Sequence, residues 1–152
     1  MKRIVISLSL LLILLASGSS HAQYFGKNKV QYTNFNWQYV QSEHFNVYYT
    51  DGGDNIAAFV LESAEESYRH LQKSFRYQLT DRIKIILHNS HNDFQQTNVD
   101  LSEPEESVGG FTEFFKNRVV IPYDGEWEKF RHVIHHELTH AVMLQMLYGS
   151  GA

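Results

Sequence analysis

No cysteine occurs in the 152 residues, so disulfide frameworks, thiolate zinc knuckles, iron–sulfur clusters and cysteine nucleophiles are excluded together. Proline is scarce, with 2 residues, which leaves no proline-rich or collagen-like segment. Basic runs are missing too. The longest is the pair Lys2-Arg3, in a chain of formal net charge -4, so nucleic-acid binding has no electrostatic footprint to start from. What is present is a folding composition, 43% hydrophobic and 14% aromatic, which argues against disorder. Any chemistry must then run on imidazole, carboxylate, hydroxyl or backbone groups, and His is abundant with 9 residues.

The first residues read as an address. Lys2 and Arg3 precede an apolar run from Ile4 to Ala16, and Ser20-His21-Ala22 offers small residues at alternate positions before Gln23. Residues 1–22 are therefore expected to be a cleaved secretory signal. The apolar run is shorter than the ~20 residues that span a bilayer, so no stable membrane span is expected after cleavage. No Cys follows it that could carry a lipid. Cleavage takes two of the 13 basic residues and leaves all 17 acidic ones. The expected product, residues 23–152, is exported, acidic and Cys-free, as suits a periplasmic, outer-envelope or extracellular bacterial protein.

Residues 24–33 have no clear period. From Phe35 to Tyr49 the apolar residues alternate with polar ones, broken at Ser42-Glu43, which predicts two short strands in a hairpin. Asp51-Gly52-Gly53-Asp54 predicts a turn ending in a helix cap. Ile56, Val60, Ala64, Tyr68, Leu71 and Phe75 then recur every three or four residues, the stripe of a long helix packed on a core. Arg82 to His88 carries a β-branched run expected to form a buried strand. Residues 89–107, with the acidic cluster Glu103-Pro104-Glu105-Glu106, predict an exposed excursion with one helical turn near Asp93–Gln96. A second hairpin is expected from Gly109 to Phe115 and from Arg118 to Pro122. A final helix should begin at Asp124 or Gly125 and run to about Tyr148, with Glu126 and Glu128 in its first turn. The order predicts an α+β fold, with a mixed or antiparallel sheet on one side and helices on the other.

The last helix carries His136-Glu137-Leu138-Thr139-His140. Residues at i and i+4 lie about 40° apart around a helix, so both imidazoles project from one face at a spacing that one tetrahedral Zn²⁺ can bridge. Glu137, about 60° from His140, is placed to hydrogen-bond a water on such an ion and take its proton rather than to ligate. His136 and His140 are thus the candidate metal ligands and Glu137 the candidate catalytic base. The competing explanation is a His-rich helix whose imidazoles cap surface carbonyls. His132 falls on the same face as His136. His135 should point elsewhere, and His88 and His91 flank the loop after the buried strand without an assigned role.

The stretch His136 to Val142, HELTHAV, resembles the active-site helix of thermolysin-like gluzincin zinc metallopeptidases. A wider similarity takes in YFGKNKVQY from Tyr24, HNDFQQTNV from His91, GGFTEF from Gly109 and the HELTHA helix. Together these look like the secreted peptidase-like module that precedes TolB-like β-propeller repeats in bacterial envelope proteins. The resemblance implies zinc as cofactor and a peptide or protein as substrate. It also implies a zincin-like N-terminal half, with a C-terminal β-propeller as a further region. Gly109 to Phe115 would be the strand bordering the cleft, along which an extended peptide can pair. A metzincin would continue with a Gly and a third His where Met143 and Met146 stand, so that class does not fit. A gluzincin takes its third ligand from a Glu on a later helix, yet no Asp or Glu follows Glu137. The resemblance thus places the third ligand beyond Ala152, and alone the 152-residue chain is expected to bind zinc weakly and to hydrolyse nothing. The alternative is a non-catalytic zincin-like interaction module of an envelope β-propeller protein.

Overall fold

A computed structural model describes residues 34–96, 109–113 and 116–149. The expected signal and most of the acidic excursion lie outside them. Strands β1 (Trp37–Gln41) and β2 (Phe45–Thr50) form the expected hairpin, antiparallel, with Trp37 opposite Thr50 and Gln41 opposite Asn46. Alternation sends Phe45, Val47 and Tyr49 to one face, where all three are buried.

Helix α1 (Asp54–Phe75) buries Ala57, Val60, Ala64, Tyr68 and Leu71, while Ile56 and Phe75 pack at the rim of the core. Its start corrects the expected Asp54 cap. Gly53 holds the cap position without a side-chain bond, because a Cβ there would lie 2.5 Å from Asn89 Oδ1 and 2.9 Å from the Thr50 carbonyl. Asp54 becomes the first helical residue and accepts a hydrogen bond from the Tyr49 hydroxyl at 3.2 Å. The helix ends at Arg76 in the left-handed region, at φ 52°.

Strand β3 (Ile83–His88) lies parallel to β2, Phe45 opposite Ile83, with α1 as the crossover that parallel pairing requires. The single turn α2 (His91–Gln95) starts at Ser90, whose hydroxyl accepts from the Asp93 amide at 3.2 Å. Strand β4 (Phe111–Glu113) pairs antiparallel with β5 (Arg118–Pro122), and β5 in turn pairs parallel with β3. Helix α3 (Trp127–Tyr148) begins two residues after the expected Gly125, because Glu126 is itself the cap: its carboxylate accepts from the Glu128 amide at 3.0 Å and the Lys129 amide at 2.6 Å.

The five strands run β1-β2-β3-β5-β4, so the fold is α+β with a mixed sheet whose three central strands are parallel. The main core lies where Phe45, Val47, Ile83, Ile85, Leu87, Val119 and Ile121 meet the apolar stripes of α1 and α3. The central place of β5 explains why its last four residues, Val119 to Pro122, are buried on both faces. The short strand β4 is left at the edge, beside α3. Among the described residues no helix is long and apolar enough to cross a membrane.

Candidate metal centre

Helix α3 is held along one side by Phe130, Ile134, Leu138, Ala141, Val142 and Gln145, all buried. Gln145 anchors the C-terminal end: the Thr80 amide donates to its Oε1 at 2.9 Å, and its Nε2 donates to the Asp81 carbonyl at 3.1 Å. Arg131 reaches across to Glu66 on α1 at 2.9 Å. Fixing that side turns the opposite one outward. His132, His135, His136 and His140 all line an open cleft of about 1100 Å³, together with Gly109, Gly110 and Glu137.

The two candidate ligands meet there. The Nε2 atoms of His136 and His140 stand 3.2 Å apart, with the rings nearly perpendicular at 85° and both side chains exposed. Two Zn–N bonds of about 2.0–2.1 Å at a tetrahedral angle set their nitrogens about 3.3 Å apart, so the pair fits one edge of a zinc tetrahedron. An N–H···N hydrogen bond between the rings suits the same separation. Among the described residues no group of three His, Asp or Glu converges on one point, and the pair supplies two ligands.

Glu137 is placed differently from its neighbours. It is 7% exposed, at the floor of the cleft under the β4 edge. The Thr112 hydroxyl donates to Glu137 Oε2 at 2.8 Å and lies 3.1 Å from the Glu137 carbonyl oxygen. Gly109 and Gly110 let the chain pass this close to α3. A Cβ on Gly110 would sit 2.8 Å from Ile121 Cγ2, 3.0 Å from the Val120 carbonyl and 3.2 Å from Glu137 Cγ; on Gly109 it would meet Val133 at 2.9 Å. The Gly pair that opens β4 thus serves close approach of the chain to α3 and β5.

The remaining histidines divide. His135 was expected to point away from His136, yet it lines the cleft, because the opening is wide enough to reach round the helix. His91 also lines it, from α2. His88 does not: it is buried on the opposite face of the sheet, with ring contacts to Phe35, Trp37 and Phe94. Thr112 was missed as a site residue, since nothing local marks it. At the mouth, Lys129 is tied to Asp124 at 2.7 Å, and this pairing, foremost the hydrogen bond, holds the Asp124 carboxyl below its usual range.

Comparison with protein-family models, with curated proteins and with solved structures gives no match. The resemblance to gluzincins therefore rests on the sequence motifs alone.

Proposed function

We propose that this chain carries the N-terminal part of a zinc-dependent peptide hydrolase, with His136 and His140 as metal ligands and Glu137 as the general base. The observation that carries this reading is the 3.2 Å approach of the two Nε2 atoms beside a buried carboxylate that faces the same cleft. When bound, zinc supplies Lewis acidity to the scissile carbonyl and lowers the pKa of water. The chain's own groups do the rest. His136 and His140 bind through neutral rings, so binding releases any proton they carry. Glu137 has one oxygen occupied by Thr112, and its Oε1 accepts the proton of the attacking water and passes it to the leaving amine. Among the described residues β4 is the outermost strand on this side of the sheet, and its outer edge would offer backbone groups along which an extended peptide can pair, next to the base.

A non-catalytic module is the second reading, favoured by one observation: the described residues supply two ligands where a catalytic zinc needs three. Both readings are tested on the full-length protein by metal analysis and by hydrolysis of a quenched fluorescent peptide library. The peptidase reading expects stoichiometric zinc, turnover, and loss of turnover with zinc retained in Glu137→Gln. Zinc without turnover favours the module, and absence of zinc refutes the peptidase reading and leaves the module only in a form that binds no metal.

A further inference from the structure

Resting on that reading, we infer that Thr112 is the positioning residue for Glu137: it clamps the carboxylate from the edge strand and leaves a single oxygen to work. Three contacts converge on one residue. Thr112 Oγ1 donates its one proton between Glu137 Oε2, at 2.8 Å, and the carbonyl of the same residue, at 3.1 Å. A donor that reaches both ends of one residue fixes the torsions between them. Gly110 closes the third side, since its missing Cβ would stand 3.2 Å from Glu137 Cγ, and the Glu137 chain lies directly under that backbone.

A glutamate on a helix face has several free rotors, and most of their combinations would swing the carboxylate away from the His pair. Among the described residues Oε1 receives no hydrogen bond, although the residue is 7% exposed and lines the cleft. The clamp therefore assigns the oxygens: Oε2 is held, Oε1 is presented. A threonine hydroxyl suits the task, because an ionised carboxylate only accepts and needs a donor beside it.

The position of Thr112 adds a coupling. It is the middle residue of β4, paired opposite Val119, so its backbone belongs to the strand along which a peptide would pair while its side chain faces α3. Docking at the edge and placement of the base then share one three-residue strand.

The test uses Thr112→Val, which keeps the shape and removes the donor, and Thr112→Ser, which restores it. In the full-length protein, kcat for a peptide should fall about tenfold to a hundredfold in T112V, the usual cost of removing an orienting partner, with KM and zinc content unchanged. T112S should recover to within about threefold. In an E137Q background T112V should add nothing, because the two act as a unit. Crystal structures of the zinc-free proteins read the clamp without activity: the Glu137 carboxylate should leave its place or split between rotamers in T112V and return in T112S. A carboxylate that stays put in T112V, or an unchanged kcat, overturns the inference. Wild-type protein that turns over no peptide would refute the peptidase reading instead, and the crystallographic comparison would still decide the clamp.

Discussion

Acid should weaken this fold through one histidine, and the size of the effect follows from where the ring sits. His88 ends β3 on the side of the sheet away from Leu87 and the main core, and it is 5% exposed. Its ring meets Phe35 at 6.0 Å, Trp37 at 5.7 Å and Phe94 at 6.0 Å, and its Nδ1 has no hydrogen-bond partner among the described residues. Burial pushes the pKa down from 6.5 to about 4, against a smaller opposing pull from the Asp93 carboxylate. The unfolded chain therefore binds a proton that the folded chain refuses. Stability is full above about pH 6.5 and falls as the pH drops towards about 4. At about 1.4 kcal/mol per pH unit the whole loss is roughly 3 kcal/mol, of which roughly 2 is gone by about pH 5. Urea unfolding at about pH 7.5 and about pH 5 reads this as a midpoint shift of about 1 M. His88→Phe keeps an aromatic ring in the cluster and removes the titrating nitrogen, so its midpoint should move much less between the two conditions. Glu65 loses stability at still lower pH: burial raises its carboxyl, but hydrogen bonds from Ser42 and His44 outweigh this and lower it. That contribution is common to both proteins and cancels in the comparison. Equal acid sensitivity in wild type and His88→Phe would refute the assignment.

Two further outcomes concern the placement of α3. Gln145→Leu keeps the volume but strands the Thr80 amide and the Asp81 carbonyl, and it should cost about 2–3 kcal/mol in chemical denaturation, against almost nothing if water replaces the side chain. Arg131→Ala breaks the ion pair with Glu66, whose partners are 39% and 49% exposed, and should cost no more than about 1 kcal/mol. Any ion-pair part of that cost should fade in 1 M salt, leaving only the packing of the guanidinium over Phe59 at 4.9 Å.

The elements were legible where their signal is local. Phe45, Val47 and Tyr49 alternate because one face of β2 meets the core, and Val60, Ala64, Tyr68 and Leu71 recur because one side of α1 does. Both periods belong to the backbone itself. Pairing is another matter. Nothing in Ile83–His88 says that it lies between β2 and β5, parallel to both, because partner choice depends on where the crossover helix puts the next strand. The cap of α1 misled for a related reason: Asp54 has the better capping side chain, but at Gly53 the Thr50 carbonyl, together with Asn89 36 positions further on, stands where a Cβ would go.

The same division runs through the site. His136 and His140 converge because i and i+4 share a helix face, and an eye on spacing alone brings their nitrogens together. Glu137 comes with them as a neighbour in the chain. What sets its carboxylate is 25 positions away in Thr112, joined to it only when β4 crosses α3. That crossing depends on two residues that have no side chain to announce it. A turn is the commoner meaning of such a Gly pair. Here neither glycine has a positive φ, so no turn conformation calls for them; contact distance does, with Val133, Ile121 and Glu137 all standing where a Cβ would go. The sign that distinguishes the two cases is what comes next: a strand whose middle residue is a hydroxyl donor, arriving beside a helix that carries an otherwise unpartnered buried carboxylate. Among the described residues no side chain of α3 donates to the Glu137 carboxylate, which the helix turns away from the two His rings. Its partner has to come from another element, and a close-packed Gly-Gly edge strand is the means by which this fold supplies one.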